Sequence, residues 1–240
     1  MKRASAVVAL VLAVAALGAC RRKDAPPAAA TGSITGSVAF TGNPNMRPRL
    51  DRSADSACGS AVSYNEGLIV NSNRTVRNVV VRLVSPLPVA RPPAPLAAVV
   101  LDQKDCVYSP HVVTLAPGQP LEIRTSDGAR HAVRVSRGDT TLAREEQGPG
   151  AAPLVEKFSD DGGLLRVRCE AHPWTDAWVA MAAHPWIAVT GPDGKFEIGN
   201  LPPGRYQLES WHERLGTKTL EVTVGAGPAE AAFAYDGHEK

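Results

Sequence analysis

Aromatic side chains make up only 5% of the 240 residues, against 44% hydrophobic residues overall. That scarcity limits the chain to one or two modest cores. Long apolar runs are missing after residue 20, so no later stretch qualifies as a membrane-spanning helix. Signatures of common catalysts are also missing: there is no G-x-S-x-G, no phosphate-binding P-loop and no H-E-x-x-H. Charge of one sign is lacking too. Without Lys2 and Arg3, the 26 basic residues fall to 24, level with the 24 acidic ones. Neutrality argues against a nucleic-acid partner.

What the chain does have is turn-forming chemistry, with 21 glycines and 20 prolines. Such a balance favours short strands joined by many turns. At the N-terminus, Lys2 and Arg3 precede the apolar run Ala6 to Leu17 and the small residues Gly18 and Ala19. This is the grammar of an export signal over residues 1–19. Leu17-Gly18-Ala19-Cys20 resembles a bacterial lipobox, which implies acylation of Cys20, attachment to a membrane through the lipid, and a location in the cell envelope facing the periplasm or the cell surface. Residues 20–32, with RRKDAPPAAATG, lack apolar periodicity and read as a flexible tether.

An exported chain meets oxidising conditions, and with Cys20 lipidated three thiols remain: Cys58, Cys106 and Cys169. They can form one bridge. Pairing Cys58 with Cys106 leaves Cys169 free for a metal; pairing Cys169 with either of the others leaves a metal-free module.

From Ser33 onward the pattern is that of strands. SITGSVAFTG alternates apolar and polar residues, and Val76 to Leu83 (VRNVVVRL) is rich in β-branched side chains. Five prolines between 85 and 96 make a connector. Further strands are expected at Ala97 to Asp102, His111 to Leu115, Leu121 to Thr125, Ala132 to Ser136, Leu164 to Arg168 and Ala177 to Ala182. Residues 137–153 are polar and turn-rich and are expected to form a surface loop. The fold class is all-β, a sandwich or barrel.

Near the C-terminus, TGPDGKFEIGNLPPGRYQLESWHE is similar to the closing half of the carboxypeptidase regulatory-like (transthyretin-like) β-sandwich, and GSITGSVAFTG with VRNVVVRL to its opening half. The resemblance implies a small β-sandwich made from residues 33–96 and 187–235, with a second module at 97–186 packed with it or inserted in it.

That second module contains Cys169-Glu170-Ala171-His172, a thiolate and an imidazole three positions apart on a turn, and His131 at the start of an earlier strand, within APGQPLEIRTSDGARHAV. One thiolate with two imidazoles suits a mononuclear copper site. Together these stretches resemble the cupredoxins, blue copper proteins with a Greek-key β-sandwich, and CEAHPWT is most like the short ligand loop of amicyanin. The resemblance implies one copper ion held by His131, Cys169 and His172, single-electron transfer or copper holding, and a redox partner protein. In that loop the axial methionine position is Thr175, and Ala132 stands where an asparagine commonly follows the first histidine. Met181 lies six positions beyond Thr175 and is not assigned as a ligand. Nothing in the sequence supplies a substrate pocket, so a carrier or binding role is expected rather than an enzyme, the alternative being a metal-free structural or binding β-sandwich lipoprotein.

Other candidates read as structural. His111 is expected in a turn or supporting position, and Trp211-His212-Glu213 lacks a partner motif. Trp174 is either a docking rim or a core cap. His184, in the second Ala-His-Pro-Trp, has no thiolate at the matching spacing and stands at a junction.

Overall fold

The computed structural model describes residues 31–44, 46–88, 95, 97–160 and 162–239. The export signal, Cys20 and most of the tether lie outside these residues, as does most of the proline-rich connector.

Sixteen strands occur among the described residues: β1 (Gly32–Phe40), β2 (Val80–Ser85), β3 (Val99–Lys104), β4 (Val107–Ser109), β5 (Val112–Leu115), β6 (Pro120–Thr125), β7 (His131–Arg137), β8 (Thr140–Gln147), β9 (Leu154–Lys157), β10 (Gly162–Cys169), β11 (Asp176–Ala182), β12 (Ile187–Val189), β13 (Lys195–Leu201), β14 (Gly204–His212), β15 (Gly216–Val224) and β16 (Pro228–Tyr235). The only regular helix described is a single 3-10 turn, Ser56–Cys58. The architecture is all-β.

The strands make four sheets, in the orders β13-β1-β16, β12-β2-β14-β15, β5-β11-β10-β7-β8 and β4-β3-β6-β9. The first two sheets enclose a core that includes Ile34, Val38, Val81, Leu83, Leu208 and Phe233. The last two enclose another around Leu101, Leu121, Ile123, Val133, Val167 and Val179. Each fully buried side chain of this kind contributes about 1.5–3 kcal/mol.

A third apolar layer joins the two sandwiches. Val80 on β2, Val112 on β5 and Ala180 on β11 are buried together, with Trp178, Ile187 and Trp211 packed against them. Strand alternation explains the arrangement: Val81 and Leu83 point into the first core while Val80 points the other way. On β11, Val179 and Met181 face the second core and Ala180 faces the seam. Strands covered on both faces read as continuous apolar runs, which is why VVVRL and AWVAMA show little alternation.

Two expectations need correction. Residues 137–153 are not a loop: β7 and β8 form an antiparallel hairpin that turns at Gly138, φ +53°. Strand β8 lies at the sheet edge, and of its residues only Gln147 is buried, so its polar side chains hide a strand held by backbone pairing. The second concerns Val76 to Leu83, where only the part from Val80 is strand. Asn78 adopts φ +64°, and the Val79 amide donates to Thr190 Oγ1 at 2.9 Å instead of to a neighbouring strand.

Candidate metal centre

The candidate site lies at one end of the five-stranded sheet. His131 is the first residue of β7 and Cys169 the last of β10, and Cys169 is in register with Val133 on β7. The chain then turns: Glu170 N donates to Ala132 O at 2.8 Å and Thr175 N donates to His172 O at 3.1 Å, which folds His172 back over Cys169. All three residues are 2% exposed.

Their donor atoms converge. His131 Nδ1 is 3.1 Å from His172 Nδ1, and Cys169 Sγ is 3.5 Å from His172 Nδ1 and 3.7 Å from His131 Nδ1. A point in the plane of these three atoms lies about 2 Å from each, close to the bond lengths of first-row metals to imidazole nitrogen and thiolate sulfur.

Two carboxylates fix which ring nitrogens face inward. His131 Nε2 donates to Asp127 Oδ1 at 2.7 Å, and His172 Nε2 donates to Asp55 Oδ2 at 3.1 Å. An ionised carboxylate only accepts, so the N–H sits on Nε2 of each ring and Nδ1 carries a lone pair. Both lone pairs face each other and the sulfur. Such a cluster of acceptors calls for a cation between them, either a proton or a metal ion, and the donor set fits a soft to borderline metal such as copper.

The charges agree with that reading. Burial pushes the Cys169 thiol up, but the His131 ring and the backbone amides of Ala132, His172 and Ala171 outweigh it and bring the group down to about 6. Burial likewise disfavours the His131 imidazolium, yet hydrogen bonds to Cys169 and Asp127 raise it above the ordinary histidine value. Asp127 is pushed up by burial and held low by the Cys106 amide and His131. Asp55 is lowered by the Ala57 amide and then by His172. Both shifts favour a negative sulfur with a proton between the donors, in the position a metal ion would otherwise take.

Cys58 and Cys106 form a disulfide that walls the outer edge of His172, with the two sulfurs 3.5 and 3.8 Å from Nε2. Cys106 is at the tip of the β3–β4 hairpin, where both Asp105 and Cys106 have positive φ. Trp174 completes this wall: its Nε1 donates to Cys106 O at 3.1 Å, and its ring is tilted against His172 with centroids 5.0 Å apart. Thr175 is buried, and its hydroxyl accepts from the Tyr108 amide at 3.1 Å. This side chain straps β4 to the loop.

Other residues singled out in the sequence lie elsewhere. Met181 is opposite Gly163 on β10, six positions from Cys169, which is roughly 20 Å along the strand. His184 stacks on Trp186 near the exit from the module. His111 pairs with Glu213 at the seam between the sandwiches, both nearly buried. Asp55 and Asp127 were not foreseen as site residues. Asp127 is four positions before His131 in a Ser-Asp-Gly turn, a spacing that could have suggested it; Asp55 comes from the other sandwich, and no local pattern announces it.

No family model matches this chain, and no curated protein matches it. Among solved structures, it is similar over 35% of its length to a reduced amicyanin variant, with 19% identity, 80% of that chain covered and a TM-score of 0.31. A purple cupredoxin from Nitrosopumilus maritimus is similar over 35% of this chain and 97% of its own, at 17% identity and a TM-score of 0.30. A copper-containing nitrite reductase from Thermus scotoductus SA-01 is similar over 41% of this chain and 25% of its own, at 18% identity and a TM-score of 0.31.

Proposed function

We propose that this protein binds one copper ion through His131 Nδ1, Cys169 Sγ and His172 Nδ1, and transfers single electrons or holds copper at the cell envelope, anchored by lipid on Cys20. The observation that carries the reading is the convergence of three buried donor atoms while Asp127 and Asp55 occupy the far nitrogen of each ring. Bound copper would supply one-electron chemistry with a covalent thiolate link.

The chain's own residues do the rest. Asp127 and Asp55 hold the N–H of each ring on Nε2 and so make Nδ1 the inward-facing donor. Backbone amides around Cys169 favour its thiolate. The β7–β10 pairing sets the distance between the histidine at one strand start and the cysteine at the other strand end. A rigid frame of this kind keeps ligand positions unchanged between oxidation states, which lowers the cost of electron transfer. The first sandwich, from residues 33–96 and 187–235, acts as a scaffold and contributes Asp55 and Cys58 to the site's outer wall.

The test is to add Cu(II) to the purified Cys20→Ser chain and record the visible spectrum. An intense thiolate-to-copper band at one equivalent supports electron transfer. Stoichiometric binding without that band favours copper holding, and no binding with unchanged thermal stability rejects both.

A further inference from the structure

We infer that the Cys58–Cys106 disulfide is a closed form of a second, soft-metal site, made of both sulfurs and Nε2 of His172, which becomes competent for Cu(I) when the bond is reduced. The inference rests on the reading above only through the shared ring of His172.

The first observation is proximity. Cys58 Sγ, Cys106 Sγ and His172 Nε2 are all buried and lie within 4.8 Å of one another, a two-sulfur, one-nitrogen set. Soft thiolates select Cu(I) over harder ions. His172 thus stands between two sulfur groups, with Nδ1 turned to Cys169 and Nε2 turned to the bridge.

The second observation is that the backbone beside both sulfurs is held by bonds that do not depend on the disulfide. Arg52 Nη1 donates to Cys58 O at 2.8 Å and also to Asp105 O, next to Cys106. The Cys106 amide donates to Asp127 Oδ2 at 2.8 Å, its carbonyl accepts from Trp174 at 3.1 Å, and the Cys58 amide donates to Asp55 O at 3.1 Å. Cutting the bond leaves both thiols beside His172.

The third is charge. Arg52 is 6% exposed, and among the described residues its guanidinium donates to the carbonyls of Cys58, Asp105 and Ala61 and to no carboxylate. A buried guanidinium without a counter-ion is costly. A copper(I) dithiolate carries one negative charge, and it would form next to this cation.

A dithiol reductant supplies two electrons and two protons and closes to its own disulfide, while the S–S bond of Cys58–Cys106 breaks to give two thiols. Binding of Cu(I) then releases both thiol protons and the Nε2 proton of His172 to solvent, and the bond from that nitrogen to Asp55 Oδ2 is given up. Where Nδ1 already holds copper, the ring bridges the two ions as an imidazolate. The 3-10 turn at Ser56–Cys58 borders an open cavity lined by Arg49, Arg52, Asp55 and Gly59, the side from which a reductant approaches.

The experiment is an anaerobic titration of the Cys20→Ser chain with Cu(I) against a coloured competing chelator, before and after phosphine reduction and removal of the phosphine. The oxidised chain is expected to take one equivalent and the reduced chain two, with two thiols lost to alkylation as the second equivalent binds. Equal stoichiometry before and after reduction, with Cys58 and Cys106 still alkylated in the presence of copper, overturns the inference. No copper before reduction and one equivalent after it upholds the inference and overturns the site proposed for His131, Cys169 and His172. A Cys58→Ser, Cys106→Ser chain should bind as the oxidised protein does; a gain on phosphine treatment of this variant also overturns the inference.

Discussion

Asp55 and His172 are 117 positions apart, yet a 3.1 Å hydrogen bond joins Asp55 Oδ2 to His172 Nε2. The two residues belong to different sandwiches. One supplies an imidazole whose Nδ1 faces Cys169 and the other decides which nitrogen of that imidazole keeps its proton.

Replacing either carboxylate should therefore weaken copper binding without removing a ligand. Asp127→Asn and Asp55→Asn are each expected to lower affinity by about 10- to 100-fold. The Asp127 side chain is 5% exposed and the Asp55 side chain 36% exposed, so the first loss should be the larger. Competition titration of each variant checks the order.

The His111–Glu213 pair predicts a pH window for stability. Burial disfavours the His111 imidazolium, but Glu213 more than offsets this and raises the group above 6.5. Burial pushes Glu213 up, and His111 more than offsets that and lowers it below 4.5. The histidine contribution is complete below 6.5 and fades as pH rises through the raised value; the glutamate contribution is complete above 4.5 and fades as pH falls through the lowered value. Thermal unfolding followed from pH 3 to 9 should show both limbs. Glu213→Gln should flatten them and cost about 3 kcal/mol between them, because it leaves a buried histidine without its counter-ion.

The disulfide closes a loop with a sequence separation of 48 residues, for which loop-closure entropy gives about 4 kcal/mol. Replacing Cys58 and Cys106 by serine should lower the unfolding free energy by up to that amount. In the unfolded, unreduced Cys20→Ser chain, a thiol count of one agrees with this pairing; a count of three contradicts it.

Val80 and Val81 are adjacent on β2 but face different apolar layers. If the two sandwiches unfold as one unit, Val80→Ala and Val81→Ala should each cost about 1–3 kcal/mol in a single transition. Two transitions, with only one of them sensitive to Val81→Ala, would mean that the seam does not couple the units.

Thr175→Met places a thioether three positions after His172. It should cost about 1–3 kcal/mol, since the Tyr108 amide loses its acceptor and the site is overpacked. In the copper-loaded variant the visible band should shift relative to the parent chain. An unchanged spectrum means that position 175 does not reach the metal.

Much of this site was legible in the sequence because its three donors sit where short-range rules apply. Cys169 and His172 share one turn, and His131 opens a strand after a Ser-Asp-Gly turn. The supporting shell was not legible. Asp55 gains its role only when a segment of the other sandwich crosses the sheet end, and the Asp105-Cys106 hairpin turn uses positive φ at residues that do not advertise it. Strand β8 escaped for a different reason: an edge strand whose side chains are mostly exposed has no apolar alternation to read.

The pairing of β1 with β16 has a consequence for the order of assembly. These strands run parallel, with Ser33 opposite Pro228 and Phe40 opposite Tyr235, so the first of the described strands hydrogen-bonds to the last of them. The sheet containing them is incomplete until residue 235 has emerged, whereas residues 99–182 can close their own core earlier. An emerging chain would thus present His131, Cys169 and His172 before the first sandwich is sealed. The wall formed by Asp55 and Cys58 would arrive last, which leaves an interval in which the nascent site is open to incoming metal.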